Sequence, residues 1–201
     1  MNSTLKHFRK NDPVLYGYAF RVGNLEPITK EKPQRYFYRL CREIIGQQLH
    51  SKAAHSIFGR FQKLFPHSTV SPKKILVLSH QTLRRTGMSH AKARYIRNLA
   101  EQVTNRGIQI QQLDAMTDEE AIAELTKVKG VGRWTAEMFL IFALGRNDVF
   151  SYGDLALKKG MQKIYKLREE PSPKRVEQII QKWSPYKTYA TRILWASLKL
   201  E

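Results

Sequence analysis

The sequence predicts an all-α fold, on three observations. Apolar residues recur at three- and four-residue spacing along most of the chain, two-residue alternation is almost absent, and several periodic stretches open on cap-forming residues or proline. With 201 residues and 42% hydrophobic content, the chain can bury a core as one domain or as two closely packed lobes. No repeat with a period of about 20–50 residues and no low-complexity linker divides it.

The first predicted helix covers 34–46, and the Gln47-Gln48-Leu49-His50 loop separates it from a second over 51–64. Pro66-His67-Ser68-Thr69-Val70-Ser71-Pro72 is a strong break, followed by short helices over 72–78 and 79–86. A long periodic stretch predicts a helix over 89–106, with Gly107 suited to its end. Thr117 and Glu120 have the spacing of a capping box and open a helix over 117–127. Gly130 and Gly132 then interrupt the pattern before a helix over 133–145, which Gly145 can end. Asp154 opens a helix over 154–166. Glu169-Glu170-Pro171-Ser172-Pro173 sets off the last two, over 172–182 and 185–199, where Ser172-Pro173 and Ser184-Pro185 each place a cap before proline. These breaks lead to the expectation of a middle lobe near 70–160 and a second lobe joining 1–69 to 161–201, with a cleft between them.

Composition narrows the partner. Lys and Arg number 35 against 17 Asp and Glu, a net charge of +18, and the isoelectric point is near 10.1. In a chain with ordinary hydrophobic content, such an excess points to a polyanion, with nucleic acid the leading candidate. The single cysteine, Cys41, excludes an internal disulfide, a multi-cysteine zinc site and four-cysteine iron–sulfur ligation; a small buried apolar role is expected. The longest apolar run, Met138 to Leu144, is shorter than the roughly 20 residues of a spanning helix. With no signal-peptide core, the expected location is cytoplasmic, associated with the nucleoid. No His/Cys/Asp/Glu cluster suggests a catalytic metal, and no glycine-rich nucleotide loop is present.

The segment from 125 to 158 carries the chemistry. Gly130 and Gly132 flank Val131 between a helix ending near Val128 and one starting near Arg133. Such glycines permit positive φ and close approach by a phosphate, and the following helix aims free N–H groups at whatever lies over the hairpin. Lys127, Lys129 and Arg133 add charge around it. The alternative is an ordinary helix-to-helix turn. Asp154, about twenty residues on, is either a helix N-cap, a catalytic carboxylate, or both, since a helix N-terminus favours a negative charge.

Across most of its length the chain resembles the helix-hairpin-helix DNA glycosylases, within them the 3-methyladenine DNA glycosylase II group. The resemblance runs through Asp12-Pro13-Val14-Leu15, Ile44-Ile45-Gly46-Gln47-Gln48-Leu49 with Lys52-Ala53-Ala54, and Arg85-Thr86-Gly87-Met88-Ser89 with Lys92-Ala93-Arg94-Tyr95. It continues through the hairpin and Asp154 to Trp183-Ser184-Pro185-Tyr186 and Leu194-Trp195. It implies a two-lobed helical glycosylase fold, and an enzyme that turns a damaged nucleotide out of double-stranded DNA and hydrolyses its glycosidic bond.

Asp154 matches the family's catalytic aspartate, which would stabilise an oxocarbenium-like sugar and position water. Trp134 stands where bifunctional members carry a nucleophilic lysine, so hydrolysis without strand cleavage is expected. Trp134 and Trp195, with Tyr152, match base-pocket positions; core packing is the alternative for each tryptophan. Such aromatic faces suit a cationic methylated purine. The loop that fills the vacated stack matches Gln48, then Leu49, with Gln47 third; the glutamines can instead serve as backbone partners at a helix start. The hairpin residues Lys127, Lys129, Gly130, Val131, Gly132 and Arg133 match the backbone-binding segment. A structural Na+ or K+ is implied on the carbonyls of Thr126, Val128 and Val131, with no other cofactor. His50, Met138 and Tyr152-Gly153 depart from the family pattern. Alkylated purines are the expected substrate and a monomer the expected state. The alternatives are a glycosylase for deaminated or mismatched bases, and a DNA-binding module without activity.

Overall fold

The computed structural model describes residues 3–200, and among these it contains twelve α-helices, four 3-10 turns and no strand. All ten expected helices are present. Two more precede them, α1 (Ser3–Asn11) and α2 (Pro13–Arg21). Their signal was short: Asp12-Pro13 is itself a cap followed by proline, and the Asp12 carboxylate accepts the Leu15 N–H at 3.0 Å. The other Asp12 oxygen accepts Tyr165 Oη at 2.5 Å and Trp183 Nε1 at 2.9 Å. A buried carboxylate with three donors is satisfied, and it ties the first helices to residues more than 150 positions away.

The chain forms two compact units, Lys30–Leu144 and Met1–Thr29 with Gly145–Glu201. These bounds differ from the expected lobes of 70–160 and 1–69 plus 161–201. Helix α3 (Tyr36–Gly46) packs on α4 (Ser51–Gln62), α7 (His90–Thr104) and α9 (Arg133–Phe142), so it joins the hairpin-bearing unit. Helix α10 (Leu155–Tyr165), which follows Asp154, packs instead on α12 (Lys187–Ser197) and α2.

The Lys30–Leu144 unit also holds α5 (Pro72–Leu76), α6 (His80–Arg85) and α8 (Asp118–Thr126). Its core includes Tyr36, Leu40 and Ile44 of α3, Ile96 and Leu99 of α7, and Phe139 and Ile141 of α9, all buried. The Tyr36 and Phe139 rings meet edge to face at 5.6 Å. Cys41 lies in this core as expected, and burial pushes its thiol well above the ordinary range. The other unit buries Phe8, Leu15, Leu157, Met161, Trp183 and Leu194 together. It adds α11 (Pro173–Ile180), capped by Ser172 as expected. Gly160 lets α10 approach α12: a Cβ there would sit 2.9 Å from the Leu194 carbonyl oxygen.

Two other expectations change. The Ser184–Pro185 peptide is cis, Ser184 Oγ donates to Asp148, and α12 starts at Lys187 without a side-chain cap. After α7 the left-handed residue is Arg106 rather than Gly107, while Gly145 does take positive φ, +66°.

Part of the cationic excess has structural work. Lys92 Nζ donates to the carbonyls of Ile45 (2.8 Å) and Gln47 (2.6 Å) at the C-terminal end of α3. Arg97 reaches the Leu78 carbonyl at 2.6 Å and Arg60 the Thr86 carbonyl at 2.7 Å. Each places a cation at the negative end of a helix, where orphan carbonyls collect.

Candidate active site

The hairpin is built from its backbone. The capping box of Thr117 and Glu120 starts α8, whose end turns tightly as Val128 N–H bonds Leu125 and Val131 N–H bonds Val128 at 3.0 Å. Gly130 has φ +87°, and a Cβ there would lie 2.2 Å from the Tyr95 ring, so both conformation and space demand glycine. Gly132 is different: as N-cap of α9 it has φ −88° and ψ 173°, and nothing lies within 4 Å of its notional Cβ. Positive φ is therefore required at Gly130 only. The open space at Gly132 lies at the start of a helix without a side-chain cap, where N–H groups and the dipole favour an anion.

The three expected phosphate contacts are not equivalent. Arg133 makes a bidentate pair with Glu119, at 2.9 and 2.5 Å, and its Nε donates to the buried Glu137 at 2.9 Å. These partners push its pKa further up and commit the guanidinium to binding α9 to α8. Glu137, the one carboxylate of α9, directly before its apolar run, was the sequence signal for this. Lys127 sits 2.5 Å from Glu124. Lys129 is exposed and pairs with no carboxylate among the described residues, while its N–H is held by Asn98 at 2.9 Å.

The glutamine loop lies against this hairpin. Gln47 Nε2 donates to the Gly130 carbonyl at 2.8 Å and to Thr135 Oγ at 3.0 Å, so Gln47 braces the hairpin. Gln48 is exposed with φ +54°, and Leu49 is 38% exposed. A groove of ≈ 420 Å³ runs between Gln47, Gln48, Tyr95, Gly130, Gly132 and Trp134. Trp134 is 45% exposed, so core packing does not account for its ring. Lys92, Tyr95, Asn98 and Thr135, which hold this arrangement, carried no assigned role in the sequence because each acts through a contact distant in the chain.

In the other unit Asp154 is both capped into place and buried, at 7% exposure. It is the N-cap of α10, with Oδ1 accepting the Leu157 N–H at 3.0 Å. Two residues before it, Tyr152 is half exposed; its hydroxyl donates to Glu177 at 2.6 Å and its ring meets Phe150 edge to face at 5.2 Å. Phe150 packs on the buried Trp183, so Tyr152 is carried by the core of this unit. Trp195 of α12 is half-buried against the same core. Lys158, one turn into α10, is paired with Glu170 at 2.7 Å.

Among the described residues no group of three or more His, Cys, Asp or Glu could hold a metal, and no helix is long and apolar enough to cross a membrane.

The family model described as HhH-GPD superfamily base excision DNA repair protein matches residues 41–185. DNA-3-methyladenine glycosylase 1 of Schizosaccharomyces pombe is 33% identical over 89% of this chain and 79% of its own. The alkylbase DNA glycosidase-like protein mag2 of the same yeast is 34% identical over 97% and 92%. Among solved structures, the S. pombe 3-methyladenine DNA glycosylase in complex with abasic DNA superposes with a TM-score of 0.83, at 30% identity over 99% of this chain and 98% of that one. A DNA-3-methyladenine glycosidase from Bacillus halodurans gives 0.84, at 33% identity over 99% and 90%. The match over residues 41–185 spans the glutamine loop, the hairpin and Asp154, and on it the chain belongs to the HhH-GPD superfamily of base excision DNA repair proteins.

Proposed function

We propose that the protein is a monofunctional DNA glycosylase of base excision repair, releasing alkylated purines of the 3-methyladenine and 7-methylguanine type from double-stranded DNA. The observation that carries this reading is the buried Asp154 carboxylate, fixed at the start of α10 in a chain whose hairpin presents Trp134 where a lyase would need lysine. The 33% identical relative named DNA-3-methyladenine glycosylase 1 supports the substrate class.

The chemistry follows from charge. A methylated purine is already cationic, so its glycosidic bond is weakened and little proton donation is needed. As the bond lengthens the sugar gains positive character, and Asp154 lowers the energy of that state while orienting water toward the anomeric carbon. The bond between base and sugar breaks, the electron pair leaves with the base and neutralises its positive charge, and water supplies the new hydroxyl while its remaining proton passes by way of Asp154 to solvent. Lys158, the lysine nearest Asp154 on α10, is paired with Glu170, which favours its charged, non-nucleophilic form.

Each unit offers aromatic faces suited to a cationic base, Trp134 in the hairpin-bearing unit and Tyr152 and Trp195 in the other, each favourable contact stabilising by about 0.5–2 kcal/mol. Gln48, with Leu49 beside it, fills the space left in the duplex. Gly132, the start of α9 and Lys129 receive the backbone phosphate. The neutral carbonyls of Thr126, Val128 and Val131 suit Na+ or K+, which would brace the hairpin and offset phosphate charge. The Val128 carbonyl already accepts the Val131 N–H, which leaves one lone pair for such an ion. The protein acts as a monomer, at the nucleoid.

The test is release of free base from methylated DNA, and separately from uracil and hypoxanthine duplexes, by the parent and by Asp154→Asn. Release of methylated purines by the parent alone is expected. No release of any base by the parent would sink the enzyme reading, release only from uracil or hypoxanthine duplexes would move the specificity, and a borohydride-trapped adduct would refute the monofunctional assignment.

A further inference from the structure

A groove of ≈ 800 Å³ between α3 and α4 shares no lining residue with the hairpin groove. Helix α3 presents Arg39, Arg42 and Glu43 along one face, and α4 presents Lys52 and His55 opposite them. Three fixed cations thus face one carboxylate. Arg39 holds Glu43 at 3.0 Å with one guanidinium nitrogen, yet its Nε is buried with no hydrogen-bond partner among the described residues. A buried donor on a charged group is left unmade only where something else can take it or a cost is borne.

Helix α4 adds to the same field. His50 makes no side-chain cap bond, and Ser51 and Lys52 of the first turn line the groove, so the positive end of the α4 dipole lies beside it. Small residues line the end of the groove, where a Cβ at Gly46 would make ordinary contact with Ala54 Cβ at 3.9 Å. Gly46 and Ser51 are also the two residues that bound the Gln47-Gln48-Leu49-His50 loop. A duplex engaged by that loop therefore meets this groove within a residue or two of the loop's own ends.

We infer that the α3–α4 groove is a second phosphate subsite, taking a backbone phosphodiester other than the one held at Gly132, with the exposed Arg42 and Lys52 as its ligands and Arg39 holding Glu43 beside them. This rests on the DNA-binding reading above. Paired to Arg39, Glu43 cancels one charge, so the groove stays cationic, and it sets the site's strength.

The test is the salt dependence of duplex affinity, read by fluorescence anisotropy. Arg42 and Lys52 are both exposed, so Arg42→Ala with Lys52→Ala should leave the fold intact. For one lost phosphate contact, the slope of log K against log salt should shrink by about 0.9, and Kd should rise about tenfold. Glu43→Gln should tighten binding. Arg9→Ala with Lys10→Ala removes the same charge from exposed positions of α1 and should leave the slope unchanged.

An unchanged slope in the groove variant, or an equal fall in the α1 control, overturns the subsite. Inorganic phosphate is titrated separately at constant ionic strength. If it raises the melting temperature of the parent but not of the groove variant while both slopes agree, the groove is a free-anion site and the DNA assignment fails. Base release by the parent is measured on the same preparations. A reduced slope without base release would sink the glycosylase reading and keep the subsite, and base release with an unchanged slope would do the reverse.

Discussion

Replacing each hairpin glycine with alanine should separate folding from DNA contact. At Gly130 the backbone sits at φ +87°, and the new methyl would fall 2.2 Å from the Tyr95 ring, far inside contact distance. The left-handed conformation costs about 1–2 kcal/mol for a residue with a Cβ, and forcing the ring aside costs about 1–3 kcal/mol. Together these come to about 2–5 kcal/mol, which in a chain of this size lowers Tm by roughly 4–20 °C. At Gly132 the backbone is at φ −88° with open space beyond it, so alanine should change stability by less than about 0.5 kcal/mol. There the methyl obstructs only what approaches from outside. A phosphate resting on the α9 N-terminus would be displaced, and a tenfold rise in Kd corresponds to about 1.4 kcal/mol. Thermal melts paired with duplex anisotropy give both readings on the same samples. Unchanged affinity for Gly132→Ala would refute backbone approach at this hairpin; an unchanged Tm for Gly130→Ala would refute the conformational argument.

Further outcomes follow from single contacts. Gln47→Leu leaves the Gly130 carbonyl and the Thr135 hydroxyl without their donor, a loss of about 1–3 kcal/mol, and base release should fall with duplex affinity; a variant as active as the parent would remove Gln47 from the hairpin's support. Asp12→Ala strands three donors, Leu15 N–H, Tyr165 Oη and Trp183 Nε1, and should destabilise by about 2–5 kcal/mol in chemical denaturation; a change under 1 kcal/mol would show the node is dispensable. Burial raises the Glu43 carboxyl above its ordinary range, with Arg39 and Arg42 opposing the shift. An acid with a raised folded pKa binds its proton more tightly in the folded state, so its cost appears as pH rises through that pKa. Glu43→Gln should therefore gain stability over the parent near pH 7 and lose that advantage near pH 4, and a pH-independent difference would contradict the assignment.

Helix positions after residue 33 were legible because periodicity and caps are local: Thr117 with Glu120, Ser172 and Asp154 each bond an N–H within three residues. The first two helices were not, since α1 offers few apolar residues and is held by the far end of the chain. The compact units divide the chain elsewhere than the expected lobes for a related reason. Proline-rich breaks mark where a helix stops, whereas membership of a core depends on which faces meet, as α3 meets α7 and α9.

The hairpin, the loop and the acid are visible in sequence as residue types at fixed spacing, and the absence of lysine at Trp134 is a property of the chain alone. Only the tertiary structure decided which of their neighbours are free to act. Arg133 and Lys127 read as equal to Lys129 until Glu119, Glu137 and Glu124 are found against them, and Gln47 reads as equal to Gln48 until its amide is found on Gly130. Gly130 and Gly132 look alike until one is seen pressed on Tyr95 and the other facing open space. Charge, spacing and conformational freedom are carried by each residue, but whether a charge is spent or a space is open depends on partners that only packing brings near.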